Sequence, residues 1–113
     1  MKIVDKSITR EELKQMAAHI FVNMVKGVVD IDRGLLALDA ELHSDLEALL
    51  LEHGSAQKNL WGVNLYPDLT GEQFVEFDSM INLRPSQNNR SRSVEDPLIR
   101  KKIVEWVKKR VNQ

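Results

Sequence analysis

The chain has 113 residues, 42% hydrophobic and 29% charged, the balance of a folded protein and not of a disordered segment. It has no cysteine, which excludes disulfides, thiolate metal sites and cysteine nucleophiles. A formal charge of −1 with a pI near 6.3 argues against a dedicated nucleic-acid binder, and no apolar run approaches the ~18 residues that would span a bilayer.

These numbers predict a single domain over residues 1–113. The opening Met-Lys-Ile-Val-Asp-Lys has no apolar stretch and carries an early acid, so it does not read as a signal peptide. With the missing cysteines, this points to a cytoplasmic protein. The charge is uneven. Residues 1–83 carry seven basic and 14 acidic groups, whereas residues 84–113 carry nine basic and three acidic ones. Such asymmetry marks an anion-binding end, or two regions that attract each other within the fold or across a homodimer.

In chain order, Ile3-Val4 begins an edge strand. Thr9 and Glu12 have the spacing of a capping box, in which hydroxyl and carboxylate each satisfy a free backbone N–H. Leu13, Met16, Ala17, Ile20, Phe21 and Met24 follow at helical spacing, which predicts an amphipathic helix over 10–25 ended by Gly27. Residues 28–32 and 35–39 flank Arg33-Gly34 and predict a hairpin, because glycine takes positive φ without steric cost. Ser44 and Glu47 repeat the capping-box spacing ahead of a short helix over 45–53, with Gly54 just past its end. His19 and His53 read as structural.

Residues 60–66 and 74–83 predict a second hairpin. With 66 opposite 74, Trp61, Val63 and Leu65 share a face with Ser79, Phe77 and Val75, extended by Ile81 and Leu83. Tyr66, Asn64 and Gly62 then face Phe74, Glu76 and Asp78. Asp96-Pro97 opens a last helix over 98–111, since Asp is a favoured N-cap and Pro is tolerated in the first turn. The pattern as a whole predicts an α+β fold in two layers. An antiparallel sheet of four to five strands carries helices 10–25 and 98–111 on one face, with the other face exposed or forming a dimer interface. Trp61, Phe77, Ile81, Ile20, Phe21, Ile103 and Trp106 are the expected core.

Three clusters could carry chemistry. The first is the 84–97 connection, where Arg84, Arg90 and Arg92 lie just before a helix N-terminus and Arg100 lies in its first turn. Guanidinium forks and free helix N–H groups suit a phosphate or carboxylate, and Ser86 and Asn89 add neutral hydrogen bonds. The competing reading is that these arginines pair with the protein's own Asp and Glu residues and pin a long loop. No phosphate-loop or dinucleotide motif is present, because residues 73–113 contain no glycine. The second cluster is a polar sheet face with Glu76 and Asp78, joined by Asp30, Asp32, Asn64 and Asn82. Gly62 opposite Asp78 would leave space above that carboxylate. Such oxygens could hold Mg²⁺ or Mn²⁺ beside Arg84 in a phosphoesterase or nuclease, or stay solvated. The third is Glu41, His43 and Asp45, which share one side of an extended segment.

The runs Val28–Ile31, Glu41–Ser55, Asn59–Pro67 and Glu76–Pro97 together resemble a small prokaryotic protein family of unknown function. That resemblance implies a free-standing cytoplasmic protein and brings no activity with it. The residues themselves favour a binding module for a phosphate-bearing ligand, a nucleotide or a nucleic-acid backbone, held by the arginine-rich loop. A metal-dependent phosphoesterase and a homo-oligomeric interaction protein are the alternatives.

Overall fold

A computed structural model describes residues 1–112. In chain order the elements are β1 (Lys2–Val4), β2 (Ile8–Thr9), α1 (Arg10–Ile20), β3 (Val25–Asp30), β4 (Leu35–Leu38) and α2 (His43–Glu52). Then follow β5 (Leu60–Leu65), β6 (Val75–Glu76), α3 (Pro97–Arg110) and β7 (Val111–Asn112). Five strands form an open antiparallel sheet in the order β1-β4-β3-β5-β6, and β2 pairs with β7 in a separate parallel ribbon. This is the α+β fold with an antiparallel sheet that the hydrophobic pattern predicts.

The sheet has an apolar layer on each side. On one face Leu13 and Ala17 of α1 and Ile103 and Val107 of α3 pack with Val29, Leu36, Leu38, Trp61, Val63 and Leu65. On the other, Leu46 and Leu50 of α2 cover Val28, Ala37 and Leu60. Helices α1 and α3 therefore share a face, as expected. The opposite face is covered in part by α2, whose Leu46 and Leu50 stand one turn apart.

Local signals explain most boundaries. The Thr9 hydroxyl accepts the Glu12 N–H at 3.0 Å, and Asp96 accepts from the Leu98 N–H at 2.8 Å ahead of Pro97. The β3–β4 turn takes Gly34 to φ +68, and a β-carbon there would lie 2.5 Å from the Trp106 ring. That ring is fixed by its indole N–H, which donates to the Ile31 carbonyl at 2.9 Å, while Arg110 donates to the Gly34 carbonyl at 2.8 Å. The end of α3 is thus fastened to the hairpin tip.

Four expectations fail locally. Helix α1 stops at Ile20, not at residue 25, because Val25 pairs with Leu65 and its neighbours complete a central strand. The chain turns out of the helix through Val22 at φ +73, a conformation uncommon for a β-branched residue. Ile20 is consequently exposed and Phe21 half-buried, while Trp61 and Ile103 are fully buried. Gly27 lies inside β3, where an added β-carbon would sit 3.1 Å from Leu38. Helix α2 starts at His43, so Leu42 is its N-cap and the Ser44–Glu47 box does not form.

The fourth concerns the second hairpin. Its register is the predicted one, with Asn64 opposite Glu76 and Leu65 opposite Val75. Pairing stops there, and residues 80–82 form a 3₁₀ turn. The Asn82 side chain takes over the missing strand's role. Its Oδ1 accepts the Gly62 N–H at 2.8 Å, and its Nδ2 donates to the Gly62 carbonyl at 3.0 Å and the Arg92 carbonyl at 3.0 Å. One primary amide, with an acceptor and two donors, reproduces the pairing of a β-strand residue.

Candidate functional site

The 84–97 connection divides its arginines between different tasks. Arg84 turns inward and is only 9% exposed. Its Nε donates to the Ile81 carbonyl at 2.9 Å and its Nη1 to the Gln57 carbonyl at 2.9 Å, while Nη2 donates to the Leu60 carbonyl. The guanidinium also lies 4.5 Å from the centre of the Trp61 ring. Burial pushes its pKa below the usual arginine value. Asn89 is buried as well, donating to the Asn82 and Ser93 carbonyls at 2.7 Å each and accepting the Glu95 N–H at 2.9 Å. Arg100 folds back on the loop, donating to the Val94 carbonyl and, at 3.1 Å, to the Ser93 hydroxyl, with its guanidinium over the Phe77 ring. Ser86 and Arg90 are exposed. The Arg90 backbone N–H donates to Glu95 at 2.8 Å, and Ser91 and that N–H together hold the Glu95 carboxyl below its ordinary range. These groups do not converge on one point.

Arg92 is the exception. Its Nε lies 2.8 Å from Asp78 Oδ1, and the pair is about half-exposed. Both line a cleft of about 480 Å³ between β5–β6 and the first turn of α2, a volume suited to a small ligand. Lys26 and Met24 border it from β3 and the loop before it. Leu42, His43 and Ser44 border it from α2, and Asn64, Tyr66 and Glu76 from the sheet. Met80 and Ile81 add apolar surface. The polar sheet face therefore does gather Glu76, Asp78 and Asn64 into one cavity, but the arginine beside them is Arg92 and not Arg84.

The groups of the cleft are bound to one another. Asn64 Nδ2 donates to Glu76 Oε1 at 2.8 Å and to the Asp78 carbonyl at 3.2 Å, so its amide orientation is set. Asn64 Oδ1 is buried without a partner. The Tyr66 hydroxyl donates to Glu76 Oε1 at 3.0 Å, and burial followed by this carboxylate raises the phenol's pKa. His43 is buried, with Nε2 2.8 Å from the Val63 carbonyl. A carbonyl only accepts, so Nε2 carries a hydrogen. Burial depresses the His43 pKa, the Val63 carbonyl opposes that shift, and the Lys26 charge adds to it. Lys26 is thus near the imidazole. The first-turn N–H groups of α2 have no side-chain cap, since Leu42 supplies none.

The remaining metal-ligand candidates are dispersed. Asp30 is fully buried in the β3–β4 turn. Its Oδ1 accepts the N–H groups of Asp32 and Arg33, and its Oδ2 accepts the Ser55 hydroxyl at 2.6 Å. Glu41 and Asp45 are exposed while His43 is buried, because the helix begins at residue 43 and parts them. The space expected above Asp78 is filled: a β-carbon at Gly62 would meet Ser79 Cβ at 2.5 Å. Among the described residues no three His, Asp or Glu side chains stand together as a metal-binding group. Sequence reasoning missed Lys26 and Tyr66 as cleft residues. The register did place Tyr66 on Glu76's face, and Lys26 fell between the helix expected over 10–25 and the strand expected from residue 28.

A family described as "Protein of unknown function (DUF5674)" matches residues 2–110. No curated protein and no solved structure matches the chain. Among the described residues no helix is long and apolar enough to cross a membrane.

Proposed function

We propose a function from the side chains alone, since the chain belongs to the DUF5674 family of proteins of unknown function: it is a binding module for a small phosphate-bearing molecule of nucleotide size. The cleft between β5–β6 and α2 is the site. The observation that carries this reading is the pairing, in one 480 Å³ cavity, of two cations with an uncapped helix start. Lys26 and the first turn of α2 supply charge and N–H donors for phosphate oxygens. Arg92 supplies a guanidinium fork. Glu76 and Asp78 balance that charge, so the ligand must bring hydrogen-bond donors as well as an anion, as an amino-bearing base does. Met24, Leu42, Met80 and Ile81 give such a ring apolar surface.

The Arg92–Asp78 pair does not oppose this. Exposed ion pairs are worth ~0–1 kcal/mol, less than the ~1.5–3 kcal/mol of a charge-assisted contact with a ligand. The test is calorimetric titration with inorganic phosphate and the four common nucleoside monophosphates. Saturable binding of one or more nucleotides is expected, weakened about tenfold or more in Lys26→Ala and in Arg92→Ala and unchanged in Lys101→Ala. Absence of binding, or equal binding by all the variants, rejects the reading. A loss in Arg90→Ala equal to that in Arg92→Ala would return the site to the 84–97 loop. Mg²⁺- or Mn²⁺-dependent turnover that disappears in Asp78→Asn would replace binding with phosphoester hydrolysis.

A further inference from the structure

Lys26, Asn64 and Glu76 form one row across the sheet. Asn64 is the register partner of Lys26 on β3 and of Glu76 on β6, and residues opposite one another in an antiparallel sheet share a face. All three line the cleft. Neighbouring strands lie ~4.8 Å apart, so the row sets a cation and an anion ~10 Å from each other along the cleft floor. The protein neutralises neither of them, since among the described residues Lys26 and Glu76 form no ion pair. The anionic end is also short of donors. Asn64 Nδ2 and the Tyr66 hydroxyl both donate to Glu76 Oε1, which holds the carboxylate in place and leaves Oε2 with no hydrogen bond among the described residues. Beside it Asn64, only 5% exposed, has an Oδ1 that no group donates to.

We propose that Glu76 is the residue that selects the base, and that the ligand is a guanine nucleotide lying along this row, its phosphate toward Lys26 and its base edge on Glu76 Oε2. The inference rests on the reading of the cleft as a nucleotide site and names the nucleotide. An ionised carboxylate accepts and cannot donate, so whatever docks on Glu76 must present N–H groups, while whatever docks on Lys26 must be anionic. A nucleoside monophosphate carries both, with a ribose and the base holding phosphate and base edge apart. Guanine is the common base whose pairing edge sets a ring N–H directly beside an amino group, so two adjacent donors meet one carboxylate. Adenine and cytosine set an unprotonated ring nitrogen beside the amino group, and its lone pair would oppose the negative charge. Uracil flanks its one N–H with two carbonyl oxygens, which would do the same.

The experiment is calorimetric titration of the whole protein with the monophosphates of guanosine, inosine, adenosine and uridine. Guanosine monophosphate is expected to bind about tenfold or more tightly than the adenosine and uridine compounds. Inosine monophosphate, which keeps the ring N–H and lacks the amino group, should fall between them. Glu76→Gln puts an amide N–H in place of Oε2, while its oxygen still serves Asn64 and Tyr66. This variant should unfold at the parent's temperature and lose the guanine preference without weakening the adenosine compound. Equal binding of all four by the parent protein, or a preference for adenosine, overturns the proposal; if that binding still weakens in Lys26→Ala, the cleft stands as a nucleotide site. A guanine preference that survives in Glu76→Gln also overturns it. No binding by any of the four rejects the cleft and the proposal together.

Discussion

Arg84 and Arg92 belong to one loop and carry the same side chain, yet they do opposite things. Arg84 is sunk against Trp61 and gives its donors to three backbone carbonyls. Arg92 lies half-exposed on a cleft and gives one donor to one carboxylate. The difference lies in the partners. Three carbonyls converging on one guanidinium hold it in place, and the buried one, that of Leu60, takes a charged donor in return. A solvated carboxylate holds it weakly and can be exchanged for another anion. Three arginines in a polar loop are therefore not one site. Here one is structural, one borders a cavity and one is exposed.

The contrast predicts a graded series. Arg84→Ala should have the largest effect, since it removes the donor to the buried Leu60 carbonyl and opens space beside Trp61. A loss of about 3–5 kcal/mol is expected in urea unfolding. Arg84→Lys should recover little, because an ammonium cannot reproduce the planar fork. If Arg84→Ala stayed within 1 kcal/mol of the parent, on the order of a surface change, the two arginines would not differ as described.

Asn82→Ala comes next. It strips the substitute strand from Gly62, leaving a buried N–H and C=O without partners, at a cost of about 2–3 kcal/mol in the same measurement. Asn82→Asp keeps the acceptor but removes the donor to the Gly62 and Arg92 carbonyls, and should be comparably harmful.

His43 should contribute to stability only over a defined pH window. Its folded pKa lies below the ordinary value of 6.5, so the unfolded chain binds the proton more readily. Its stabilising contribution is complete above pH 6.5 and is lost as pH falls through the depressed folded pKa. The thermal midpoint should drop between pH 7 and pH 5, and the part of the drop due to this ring should vanish in His43→Gln. An unchanged slope would remove His43 from the account.

Arg92→Ala should have the smallest effect on stability, within ~0.5 kcal/mol, together with the largest effect on nucleotide binding. Should Arg92→Ala unfold the protein, the cleft would be part of the frame and not a site.

Much of this architecture was legible in the residues. The Thr9–Glu12 box, Asp96-Pro97 and Arg33-Gly34 each set a boundary through chemistry confined to a few neighbours, and the Leu65–Val75 register followed from alternation. What was not legible depended on distant partners. Val25 leaves the helical period because Leu65 is there to pair with it. Strand β6 ends early because Asn82 replaces it. Whether Arg84 turned inward was decided by carbonyls at Gln57, Leu60 and Ile81, which only the fold brings together. The cleft was half readable, as Glu76, Asp78 and Asn64 fall on one strand face, but Lys26 and Arg92 arrive from other elements.

The unequal burial of the two tryptophans gives the protein two optical reporters. Trp61 is 1% exposed, its indole N–H has no partner, and a guanidinium covers its ring. Trp106 is half-buried, hydrogen-bonded to Ile31 and flanked by Lys109 and Arg110. Acrylamide should quench the second long before the first, and the two emissions should separate in wavelength. Light from Trp106 would then follow the docking of α3, and light from Trp61 the integrity of the sheet, in a single unlabelled sample.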